Sequence, residues 1–169
     1  LVQGLESERR LQVGWVHPQI GVVLLPGRRD RERNLQDDIA TLRSERVDIL
    51  AGIITEPELS WAGVPDLPSQ CRAAGVGYRL LRVPDQKVPT LDEAGTLIAE
   101  MEEHVRSGKK VVFHCLGGLG RSGTFAACLL VSLGFGPADA ISKIREVRGP
   151  RAIENRAQEE FVHQFAAAR

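Results

Sequence analysis

The chain has 169 residues, enough for one domain that buries about two-thirds of the surface its unfolded form exposes. Lysine plus arginine and aspartate plus glutamate both number 22, so the net charge is zero and no broad field recommends a nucleic acid or a membrane as partner. Three cysteines at irregular spacing argue against a disulfide framework and a four-ligand zinc site, and no apolar stretch approaches the roughly 20 residues of a membrane span.

This cysteine usage suits a reducing cytosol, so a cytoplasmic location is expected. The sequence begins at Leu1 rather than Met, so a targeting segment would lie outside it. Residues 1–14 carry Glu6, Glu8, Arg9 and Arg10 and read as a loose N-terminal segment, leaving 15–169 as a single domain. Ile20 to Leu25, closed by Pro26-Gly27, predicts a buried strand. Leu35, Ile39 and Leu42 give Asn34 to Arg46 helical spacing, and Asp48 to Ile54 predicts the next strand. Pro57 to Pro68 reads as turn-rich, Leu67 to Ala74 as a short helix, and Tyr78 to Val83 as a strand ended by Pro84. Leu97, Ile98, Met101 and Val105 mark a helix over Leu91 to Val105, followed by a strand over Lys110 to His114. Arg121 to Leu133, Pro137 to Val147 and Glu154 to Ala167 then read as helices separated by glycine-containing turns. The alternation predicts an α/β fold in one domain, a mainly parallel sheet flanked by helices with a helical C-terminal layer.

The chemistry concentrates in residues 111–124, Val-Val-Phe-His-Cys-Leu-Gly-Gly-Leu-Gly-Arg-Ser-Gly-Thr. Gly117, Gly118 and Gly120 let the loop after Cys115 curl so that the N–H groups of Leu116 to Gly120 form a nest for a phosphate dianion, beside a helix N-terminus. The same dipoles and Arg121 favour a thiolate, the nucleophilic form of Cys115. Arg121, six positions on, offers a planar fork to two phosphoryl oxygens, and the Ser122 hydroxyl can support the sulfur as leaving group. Gly118 to Gly123 also satisfies the dinucleotide fingerprint G-x-G-x-x-G, but no strand with an acidic residue follows. The bland alternative is a core cysteine followed by a glycine turn, against which stands the conjunction of cysteine, three glycines, arginine and serine.

His114-Cys115-Leu-Gly-Gly-Leu-Gly-Arg121-Ser122-Gly123 resembles the signature His-Cys-x5-Arg-Ser/Thr of the protein tyrosine phosphatase superfamily. Leu25-Pro26-Gly27, Arg33 to Asp38, Glu58-Leu59, Val64 to Leu67 and Ala126 to Leu130 extend the likeness to the dual-specificity group, in its kinase-associated phosphatase subgroup, over roughly Leu24 to Phe165. The resemblance implies two-step hydrolysis without cofactor or metal, through a phosphocysteine intermediate. It also implies a phosphoprotein substrate, with phosphotyrosine joined by phosphoserine or phosphothreonine in a shallow pocket, and leaves room for a protein kinase as partner.

A departing alkoxide or phenoxide needs a proton. Asp85 lies in the proline-bracketed loop Val83-Pro84-Asp85-Gln86-Lys87-Val88-Pro89, ahead of Cys115 by about the family's distance, and is the choice for the general acid over Asp66 and Asp92. His114 is expected to orient the cysteine loop, and Gln158 resembles a supporting family glutamine. Where some relatives carry a second, water-positioning glutamine this chain has Glu154. Arg28, Arg29, Arg31 and Arg33 form a basic run, either solvated surface or a receptor for an acidic substrate. Cys71 and Cys128 are either core cysteines or disulfide partners for an oxidised Cys115. Two other readings remain, a non-catalytic phosphoprotein-binding module and a rhodanese-like or arsenate-reducing enzyme.

Overall fold

The computed structural model describes residues 9–169. Five strands, β1 (Gly14–His17), β2 (Ile20–Val23), β3 (Ile49–Ile53), β4 (Gly77–Leu81) and β5 (Val111–His114), form one sheet in the order β1-β2-β5-β3-β4. All neighbours pair in parallel except β1, which joins β2 as an antiparallel edge hairpin. The parallel strands carry apolar residues on both faces, because both faces are covered. On β3, Ile49, Ala51 and Ile53 enter one core and Leu50 the other, and on β5 Val111 and Phe113 oppose Val112 in the same way.

On one face lie α1 (Leu35–Ser44), α2 (Glu56–Trp61) and α3 (Leu67–Ala73), and on the other α4 (Leu91–Arg106), α5 (Arg121–Ser132), α6 (Pro137–Arg148) and α7 (Arg156–Ala167). All twelve residues of α5 are buried, with its neighbours α4, α6 and α7 packed around it. Its first turn, which follows Cys115, is thereby fixed on all sides. The α/β architecture agrees with expectation.

Three local expectations need correction. The edge strand β1 has no counterpart among the expected elements, and its Gly14 falls in the segment expected to be loose; its short mixed run Gly-Trp-Val-His gives no clean alternation, and pairing with β2 creates the strand. Of that segment, residues 1–8 lie outside the described residues, while Leu11 is buried in the second core. The stretch from Pro57 is not all turn, because Pro57 falls in the first turn of α2, where proline is tolerated, and Thr55 and Glu58 close a capping box. The last helix starts at Arg156, two residues later than Glu154, because the Asn155 side chain caps it by accepting from Gln158 N–H at 2.9 Å.

Candidate active site

Strand β5 delivers Cys115 to the C-terminal edge of the sheet, and α5 begins again at Arg121. Between them the backbone closes on itself, and each carbonyl finds a donor outside the turn. The Cys115 carbonyl accepts from His114 Nδ1 (2.9 Å), and that of Leu116 from Leu25 N–H (3.0 Å) and Arg28 Nη1 (3.2 Å). Arg148 serves two, Gly118 through Nε (2.9 Å) and Gly117 through Nη2 (3.3 Å). Leu119 accepts from Ile153 N–H (3.0 Å), and Gly120 from Thr124 N–H (2.9 Å) and Oγ1 (2.7 Å). A planar peptide holds N–H opposite C=O, so carbonyls drawn outward leave the amides of Leu116 to Arg121 facing inward. Among the described residues none of the amides of residues 116–120 is bonded to a backbone carbonyl. Gly118 makes the curl possible: its φ is +70°, and a Cβ there would lie 2.5 Å from the Val23 carbonyl carbon.

At the floor of this ring Cys115 is 3% exposed, with its Sγ 3.1 Å from Ser122 Oγ. His114 is fully buried and neutral. Burial pushes its pKa down to about 4, aided by the charge of Arg121 and opposed by its bond to Cys115. A carbonyl can only accept, so Nδ1 carries the proton and Nε2 accepts from the Tyr78 hydroxyl at 2.8 Å. Gly52, paired with His114 across the sheet, keeps this contact open, since a Cβ there would collide with both rings.

Arg121 is 2% exposed, and its position is over-determined. Nη1 donates to Glu58 Oε1 and to the Val83 carbonyl, both at 2.8 Å, and Nη2 donates to Glu58 Oε2 at 2.7 Å. With both Nη1 protons and one Nη2 proton engaged, the Nε–H and remaining Nη2–H form the edge left for two oxygens of an anion. Burial opposes ionisation of Glu58, but hydrogen bonds from Arg121 and Thr55 outweigh it and hold the carboxyl below its ordinary range. Burial likewise opposes charge on Arg121, and Glu58 with Cys115 overcomes it. Burial pushes the pKa of Arg148 down, and its interaction with Cys115 opposes this.

Asp85 lies above this edge, Oδ1 3.4 Å from Arg121 Nη2, with its side chain 58% exposed. Asp66 precedes α3 and Asp92 sits in the first turn of α4; among the described residues neither pairs with Arg121. Gln158 is fully buried rather than surface. Its Oε1 accepts from Glu154 N–H at 2.8 Å, and its Nε2, unpartnered among the described residues, would lie 3.1 Å from a Cβ on Gly120. The basic run is divided: Arg28 holds the loop and Asp30, Arg33 pairs with buried Asp38, and Arg29 and Arg31 are exposed. Cys71 and Cys128 lie in the two separate cores, and burial pushes the Cys71 thiol up to about 12 and the Cys128 thiol up as well, which suits core cysteines.

Sequence reasoning missed Glu58, Tyr78, Arg148 and the loop-binding role of Arg28. Thr55-x-x-Glu58 was available as a capping box but names no partner 63 positions away, and Arg148 looks like an ordinary basic residue in a last helical turn.

An anion receptor with inward amides, a buried guanidinium and a thiol at its floor defines the class of cysteine-dependent phosphatases. Residues 32–162 match the family described as Swiss Army Knife protein, DSP-PTPase phosphatase domain. The chain is 33% identical to cyclin-dependent kinase inhibitor 3 of Rattus norvegicus over 95% of its length and 81% of that protein, and 32% identical to the Homo sapiens protein over 86% and 71%. It superposes with TM-score 0.87 and 29% identity on a kinase associated phosphatase whose catalytic-site cysteine is substituted by serine, covering 95% of this chain and 98% of that one. With Tk-PTP in its active form the TM-score is 0.76 at 26% identity, over 92% and 96%. The chain belongs to the dual-specificity phosphatase group of the protein tyrosine phosphatase superfamily, and it is a cysteine-dependent phosphatase.

Proposed function

We propose that the enzyme hydrolyses phosphotyrosine and phosphoserine or phosphothreonine in proteins through a phosphocysteine intermediate. The observation that carries this reading is the outward anchoring of every carbonyl from Cys115 to Gly120, which leaves a ring of amides around one sulfur. The phosphoryl group sits on those amides and on the Nε/Nη2 edge of Arg121, which stabilise the charge of the transferring group. Cys115 Sγ attacks phosphorus, the S–P bond forms as the P–O ester bond breaks, and Asp85 gives its proton to the departing oxygen. In the second step a water attacks phosphorus, Asp85 takes its proton back, and the S–P electron pair returns to Cys115, where the Ser122 hydroxyl stabilises the leaving thiolate. His114 holds the Cys115 carbonyl, and Gln158 supports the loop at Gly120.

A phosphorylated protein kinase is the proposed partner class, supported by the names of the relatives. The cytoplasm is the proposed location; among the described residues no helix is long and apolar enough to cross a membrane. Release of inorganic phosphate from an aryl phosphate and from phosphotyrosine and phosphothreonine peptides, with EDTA present, tests the activity. Turnover of all three supports it, whereas binding without release would make the chain a phosphoprotein-binding module.

A further inference from the structure

Asp85 is the one proposed catalytic group carried by an exposed loop, and the bonds that hold that loop are specific. Residue Gln86, next in the chain, stands at φ +67°, a left-handed conformation that a non-glycine residue keeps when its surroundings fix it. Its backbone N–H donates to Asp85 Oδ1 at 3.0 Å. Its side chain reaches to the segment before α7, where Nε2 donates to Glu154 Oε2 at 3.0 Å. From that segment Asn155 Nδ2 returns two bonds, to the Gln86 carbonyl at 2.9 Å and to its Oε1 at 3.2 Å. Asn155 is itself fixed, because its Oδ1 caps α7, and two residues earlier the Ile153 N–H holds the Leu119 carbonyl of the cysteine loop.

We infer that Gln86 is a latch: through Glu154 and Asn155 it ties the Asp85 loop to the segment that anchors the cysteine loop, and so sets Asp85 over Arg121. Gln86 is a positioning residue, since it acts through Asp85 and touches neither phosphorus nor sulfur. The inference rests on the reading of Asp85 as general acid. Acid position matters when the departing oxygen is basic and little when it leaves unaided, and small misplacement of a catalytic group costs up to about a hundredfold. The latch therefore affects phosphothreonine far more than an activated aryl phosphate.

The test compares Gln86→Ala, Asn155→Asp and Asp85→Asn, with the double variant Asp85→Asn/Gln86→Ala, on a phosphothreonine peptide and on an activated aryl phosphate. Asn155→Asp keeps the oxygen that caps α7 and removes the Nδ2 donors, so it separates latch from helix stability. Expected is a fall of about tenfold to a hundredfold in kcat for the phosphothreonine peptide in both latch variants, with KM little changed and a markedly smaller loss on the aryl phosphate. The double variant should be no slower than Asp85→Asn alone. A leaving-group-dependent loss in Asp85→Asn but not in the latch variants, or equal losses on both substrates in the latch variants, would overturn the latch and leave the acid standing. Absence of that dependence in Asp85→Asn itself would overturn the acid reading on which the latch rests.

Discussion

Between Cys115 and Gly120 every carbonyl is bonded to a donor outside those residues, whereas the loop carrying Asp85 is held by the Val83 carbonyl, the Gln86 contacts and the capping box of Thr90 and Glu93 that starts α4. The first loop is half buried and bordered by α5; the second is exposed from Pro84 to Lys87. The contrast follows from what each has to bind. A receptor for a dianion works by dipoles that are already oriented before the anion arrives, so its geometry is built into the fold. A proton donor acts at an oxygen that differs between substrates, and it can be carried on a surface loop.

The contrast predicts that the two loops fail differently when substituted. Asp85→Asn should lower turnover of a phosphothreonine peptide by about 10²–10⁴ while leaving urea unfolding within about 0.5 kcal/mol of the parent, since its side chain is 58% exposed. A large stability loss would mean that Asp85 is structural and that the two loops are not distinct in kind. Arg121→Lys keeps the charge but cannot hold Glu58 through two donors and still present a two-pronged edge. Turnover of every substrate should fall at least about a hundredfold, independent of leaving group; near-normal kinetics would reduce Arg121 to a packing residue.

Arg148→Met is a finer probe, because Arg148 meets the cysteine loop from its outer side. The Gly118 carbonyl would lose its donor, at a cost of roughly 1–3 kcal/mol in urea unfolding, and turnover should fall with both good and poor leaving groups. Stability unchanged by this substitution would show that the loop stays curled without the Arg148 clamp. The last effect concerns acid. The folded-state pKa of His114 is depressed to about 4, below the ordinary value of 6.5, so the unfolded chain binds the extra proton first. His114 therefore contributes stability that is complete above about pH 6.5 and is lost as the pH falls toward 4, on the order of 3 kcal/mol in all. The difference between the stability–pH curves of the parent and His114→Asn isolates it from His17, and parallel curves would contradict a buried neutral imidazole.

Much of this was legible in the sequence because it is local. The strand, the three loop glycines and Arg121 lie within eleven residues, and hydrophobic patterning located all four parallel strands. The site's outer supports are not local. Glu58 lies 63 positions from Arg121, Arg148 lies 30 from Gly118 and Gln86 lies 69 from Asn155, and such pairs are set by topology, which no short-range spacing encodes. The Arg28 to Arg33 run shows the same limit in reverse, since a charge run suggests surface, yet two of its four members are buried or paired in supporting the fold. Pro57 was misleading for a simpler reason: a proline in a first helical turn looks the same in sequence as one in a loop.

The central claim is that phosphate passes through the sulfur of Cys115. Rapid quenching of the enzyme in alkaline detergent during turnover of a radiolabelled aryl phosphate, followed by peptide mapping at alkaline pH, tests it directly. The label should be found on the peptide containing Cys115, bound as an S-phosphate ester that survives alkali and is released in mild acid, and should be absent from Cys115→Ser, which also ceases to turn over substrate while still binding it. Label on any other residue, or turnover by Cys115→Ser at the parent rate, would contradict the account.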